Sequence, residues 1–71
     1  MKSKELPTLA KNIKKYRQKL GISQDKLSKL ADIAYNVIIK IESGATPNPT
    51  IETVAKIAKG LGVPIDKLIN D

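Results

Sequence analysis

Residues 23–44, SQDKLSKLADIAYNVIIKIESG, constrain this chain more than any other stretch. Apolar residues recur there at helical spacing twice, first as Leu27, Leu30 and Ala31 and then as Ile38 and Ile41. Between the two runs the period breaks at Asp32-Ile33-Ala34. The pattern predicts two short amphipathic helices joined by a tight turn. Ser23 is placed to cap the first, and Asp25 lies in its first turn, where the helix dipole favours an acid. Ser43-Gly44 ends the second. Helices of this length are marginal alone, so the flanking segments read as packing support.

Those flanks carry the same period. Thr8 is a candidate N-cap, and Leu9, Ile13, Tyr16 and Leu20 then recur along a first helix over Thr8–Leu20, closed by Gly21. Residues 45–49, with two prolines, form a loop. Thr50 is placed to cap a fourth helix, whose Ile51, Val54, Ala55, Ile57, Ala58 and Leu61 make a wide apolar face, and Gly62 stops it. Pro64 suits the first turn of a short fifth helix carrying Ile65, Leu68 and Ile69. The expectation is an all-α domain of five helices over residues 8–71, after a flexible basic lead at residues 1–7.

A chain of 71 residues is close to the lower size limit for burying a self-sufficient core. With no cysteine and no histidine, neither a disulfide nor an ordinary zinc site is expected, and no cofactor is implied. No apolar run nears the roughly 20 residues of a membrane span. No signal-peptide apolar region follows the basic start. These features suit a soluble protein of the cytoplasm.

The net charge of +6 is unevenly placed. Residues 1–20 hold Lys2, Lys4, Lys11, Lys14, Lys15, Arg17 and Lys19 against Glu5 alone, while acids and bases balance over the rest. Such asymmetry points to an anionic partner, nucleic acid first, with solubility as the plainer reading.

Periodicity by itself says only that two helices share a short link, as in many small bundles. Arg17-x-x-Leu20-Gly21-Ile22-Ser23-Gln24-x-x-Leu27-x-x-x-Ala31 resembles the first half of the signature of the phage repressor/Cro family. Ile33, Ile38, Ile41-Glu42-x-Gly44, Asn48-Pro49-Thr50-Ile51 and Ile57-Ala58-x-x-Leu61-Gly62-Val63 resemble its second half. The resemblance covers about residues 9–69 and implies a five-helix repressor-type DNA-binding domain containing a helix-turn-helix. The third helix, about residues 34–43, would then lie in the major groove of double-stranded DNA.

On that resemblance Tyr35, Asn36, Val37 and Lys40 would meet base edges. Asn36 suits adenine, Lys40 suits guanine, and Val37 suits a thymine methyl. The bland alternative leaves them as solvated positions. Gln24 would bind a phosphate at the start of the second helix and brace the third. Ser43, Thr46 and Asn48 would touch the DNA backbone. Arg17 and Glu42 would form a semi-buried structural ion pair.

This chain departs from the family pattern at several points. Many relatives carry Gly at the position of Asp32, and Ser, Thr or Pro at that of Ala34. Ala34 is a poor cap, and an Asx-type turn at Asp32 would supply part of what it lacks. Ile39 falls between outward positions, to pack over the loop or touch a partner. A single helix-turn-helix reads few bases, so a homodimer through Ile65, Leu68 and Ile69 is expected, with docking of all three into the core as the alternative. The rival function is a protein-interaction module of the same fold, such as an antitoxin or coactivator-like adapter. No catalytic constellation is present, so an enzyme is not expected.

Overall fold

The computed structural model describes residues 6–70 and places five helices among them, with no strand. They are α1 Thr8–Leu20, α2 Gln24–Ala31, α3 Tyr35–Ser43, α4 Ile51–Leu61 and α5 Ile65–Ile69. Of the basic lead, residues 1–5 lie outside the described residues.

Two helices begin as their caps predict. The Ser23 hydroxyl accepts from the Lys26 N–H at 3.0 Å, and the Thr50 hydroxyl accepts from Thr53 at 3.2 Å. Thr8 does not cap: Pro7 occupies the cap position of α1, with no side-chain bond, and Thr8 is the first helical residue. Proline suits that place because its fixed φ turns the chain into the helix.

The most deeply buried side chains are Ile13, Leu27, Ile38, Ile41, Ile57 and Leu68, so every helix contributes to one core. Fully burying each such side chain is worth about 1.5–3 kcal/mol. In α2 the buried arc runs from Leu27 through Ala31 to Ser28, not to Leu30, which is 48% exposed. Burial of Ser28 is tolerated because its hydroxyl donates to the Asp25 carbonyl at 2.7 Å. Two other predicted core positions also face out. Ile51, in the first turn of α4, is 68% exposed, and Leu20 is the exposed last residue of α1.

Helices α2 and α4 approach closely at Gly60. A Cβ there would sit 3.0 Å from the Ala31 nitrogen and 3.1 Å from its Cα, so a side chain would require the Ala31 backbone to give way. Elsewhere in the domain, α1 is tied to α5 by Asn12. Its buried amide donates to the carbonyls of Leu68 and Asn70, both at 2.9 Å. These bonds satisfy carbonyls that the short helix leaves orphaned at its end.

Helix α5 does not present the surface expected of it. Leu68 is fully buried, Ile65 packs against the core, and only Ile69 of the three is exposed. Leu68 is therefore a core residue rather than a dimer contact. One turn and a half of helix docks by Leu68, and little of its apolar side is left over.

Candidate nucleic-acid interface

The turn between α2 and α3 is set by Asp32, whose φ of 59° is left-handed. Its N–H bonds to the Lys29 carbonyl, and the next N–H, from Ile33, bonds to Ser28. Asp32 is thus the C-cap of α2, at the place where the repressor/Cro pattern often has glycine. It supplies no cap to α3: Ala34 stands at the cap of that helix, without a side-chain bond. The expected Asx-type contribution of Asp32 is not made, because its left-handed backbone ends the preceding helix instead.

Helix α3 is held from the inside by Ile38, Ile41 and Glu42, all buried. Glu42 is only 2% exposed, and three nitrogens from two side chains donate to its carboxylate. Arg17 donates through Nε to Oε2 at 2.7 Å and through its second guanidinium nitrogen to Oε1 at 3.0 Å. Gln24 Nε2 donates to Oε1 at 3.1 Å. Arg17 also donates to the Ile22 carbonyl at 3.0 Å, in the link before α2. A bidentate guanidinium and an amide together satisfy the buried carboxylate, the condition under which such a pair holds geometry. The end of α3, the start of α2 and the last turns of α1 therefore meet at one acid.

With Ile38 and Ile41 inward, α3 presents Asn36, Lys40 and Ser43 along one outer face, at i, i+4 and i+7. Tyr35, at the first turn, is also exposed. Val37 differs from these, being half-buried and packed against the core, so it offers outward only part of its side chain. Ile39 is half-buried.

At the end of α3 the Ser43 hydroxyl donates to the Lys40 carbonyl at 3.1 Å and accepts from the Ala45 N–H at 3.3 Å. Its proton thus finishes the helix. The loop beyond carries half-buried Thr46, whose N–H bonds to the Lys40 carbonyl at 3.0 Å, and exposed Asn48. Gly44 has a φ of 88°, and a Cβ there would meet the Leu6 side chain at 3.2 Å. The segment entering α1 therefore packs on the end of α3.

A groove of about 380 Å³ lies beside this loop, lined among others by Leu9, Pro47, Pro49, Ile51, Val54 and Ile69. It brings the exposed Ile51 and Ile69 to one place, which separate helical patterns did not foretell. Asn12 was equally unforeseen. Its position between Leu9 and Ile13 on the inner arc of α1 is the only trace of its role in the sequence.

Comparison with known proteins agrees with this geometry. Residues 13–68 match the model of a family described as helix-turn-helix. A stretch of 54 residues, 76% of this chain, is 43% identical to an uncharacterized HTH-type transcriptional regulator of Haemophilus influenzae, 54% of which is covered. A stretch of 63 residues, 89% of the chain, is 30% identical to the HTH-type transcriptional regulator SinR of Bacillus licheniformis, with 57% of that protein covered. The chain thus spans little more than half the length of these curated relatives. No solved structure matches it significantly. With α2 and α3 joined at a left-handed Asp32 and braced by Arg17, Gln24 and Glu42, and with the family model matching over most of its length, the chain belongs to the helix-turn-helix family of repressor/Cro type.

Proposed function

We propose that this chain is the DNA-reading part of a transcriptional regulator, binding double-stranded DNA sequence-specifically with α3 in the major groove. The observation that carries the reading is the outward face of Asn36 and Lys40 on a helix fixed from behind by the shared carboxylate of Glu42. A rigid helix is what direct readout needs, because a bidentate amide-to-adenine pair tolerates little rotation. In this reading Asn36 and Lys40 read bases with Tyr35, and Val37 offers a methyl edge. Gln24 uses one amide hydrogen on Glu42 and turns the other toward a phosphate, while Ser43, Thr46 and Asn48 line the backbone path.

Two half-sites demand two copies. The exposed Ile51 and Ile69, which both line the groove beside the loop, are the surface for a homodimer. The same groove is what favours the second reading, an adapter that docks a different protein there. The regulator would act in the cytoplasm on nucleoid DNA, and nothing in this reading calls for catalysis.

Selection of bound duplexes from a random pool, followed by Asn36→Ala on the winning sequence, tests the proposal. The expected loss is about 1–3 kcal/mol with relaxed preference at one or two base pairs. No association with any duplex at low salt would remove DNA binding and leave the adapter.

A further inference from the structure

Among the described residues, α1 carries a row of lysines that lies away from the face presenting Asn36 and Lys40. Arg17 points from α1 toward α3 and is consumed by Glu42. Lys15, two residues earlier, lies roughly 160° from it around the helix axis at 100° per residue. Lys11 and Lys19 stand one turn either side of Lys15, so the three form a stripe about 12 Å long on the far side of α1. Helix α5 extends the stripe. Lys15 and Lys67 line one open cleft of about 430 Å³ with Tyr16, Pro64, Asp66 and Asn70. Lys15, Lys19 and Lys67 are exposed, and none of the three is held in an ion pair among the described residues. The ammonium groups of Lys15 and Lys19 lie 5.2 and 5.5 Å from the centre of the Tyr16 ring, which gathers them on one surface. Asp66 is the one acid lining that cleft.

We propose that this lysine surface of α1 and α5 is a second DNA-backbone contact, which engages a duplex other than the one lying against α3. The proposal rests on the DNA-reading function of the chain. Its composition favours phosphate over an acidic protein. Protein interfaces are depleted in lysine and built around aromatic, Met and Arg anchors. Here the surface is lysine without arginine, and its single aromatic ring lies under two ammonium groups. Flexible ammonium groups on a line suit the sequence-independent attraction of a polyphosphate, with release of its counterions. Because the stripe faces away from α3, a straight duplex in the reading position does not pass it. A second duplex, or a distant stretch of the same molecule folded back, does.

The test uses a selected operator duplex on beads, the full chain, and a fluorescent 30-base-pair duplex of unrelated sequence. Retention of protein on the beads is scored first and reports the reading function. Capture of the second duplex by retained protein reports the proposal. The wild type is expected to capture it at low salt and release it as salt rises. K15Q/K19Q/K67Q, with its fold checked by circular dichroism, is expected to lose capture about tenfold while operator affinity changes less than about twofold.

Equal capture by the triple variant would overturn the proposal, as would retained wild type that captures nothing. A matching fall in operator affinity, with the salt slope reduced by about 0.9 per lysine, would put the stripe on the same duplex and overturn it too. Polyglutamate held in preference to the duplex would reassign the surface to an acidic protein. Failure of the wild type to stay on the operator beads would end the reading function and this proposal with it.

Discussion

Asn12 donates its side-chain amide to the Leu68 carbonyl at 2.9 Å, joining α1 to α5 across 56 positions of sequence. The same nitrogen reaches the Asn70 carbonyl, so one buried amide finishes the last helix. Because α5 has only five residues, it has little internal cooperativity and depends on such ties.

Asn12→Ala should therefore destabilise the domain by about 2–3 kcal/mol, two carbonyls losing their donor and one of them buried. Chemical denaturation measures the loss. Hydrogen exchange should show α5 opening below the global unfolding energy, and unchanged protection there would refute the tie.

Arg17→Met should cost on the order of 3–5 kcal/mol, since it strands the buried Glu42 carboxylate with Gln24 as its remaining partner. The double variant Arg17→Met with Glu42→Leu should recover much of that, because no charge remains buried. A denaturant-based double-mutant cycle checks both, and additive losses would show that the two residues do not act as a pair.

Asp32→Gly should stabilise the fold by up to about 1 kcal/mol by removing the strain of a side chain at φ 59°. Asp32→Val should destabilise it by more than that gain, since a β-branched residue resists this backbone. Melting temperatures of the two variants on either side of the wild type are the expected result.

Gly60→Ala raises helix propensity by about 1 kcal/mol in an isolated helix. Here it should destabilise, by about 1–3 kcal/mol, because the new methyl meets the Ala31 backbone rather than a movable side-chain end. A variant more stable than wild type in denaturant would show that α2 and α4 can part without loss.

The helix order was legible because Ile13, Leu27, Ile38, Ile41 and Ile57 keep a helical period and each is fully buried. The width of each buried arc was not. Leu30 lies roughly 60° from Leu27 on the side away from Ser28, and periodicity cannot say which side a neighbouring helix covers. Ile51 is at a helix start, where no further turn packs over it.

Glu42 and Arg17, 25 positions apart, are tied by no local pattern, and only the family resemblance joined them. That Gln24 donates to the same acid, and that Asn12 finishes α5, depend on how helices meet in space. The place of Gly60 inside α4 likewise has its reason in space, in the nearness of the Ala31 backbone. For the outward residues, the sequence supplies chemistry but not degree of display: Asn36 is exposed, whereas Val37 is half-buried and shows only part of its side chain.

The carboxylate shared by Arg17 and Gln24 has a consequence for genetics. Glu42 is almost wholly enclosed, yet it governs both the tilt of α3 and the direction of the Gln24 amide. A screen for variants that lose the proposed DNA binding should recover substitutions at this acid as often as at Asn36, and some should leave enough folded protein to pass an abundance check. Second-site suppressors should then cluster at Arg17 and Gln24, residues on separate helices whose alleles would otherwise seem unrelated.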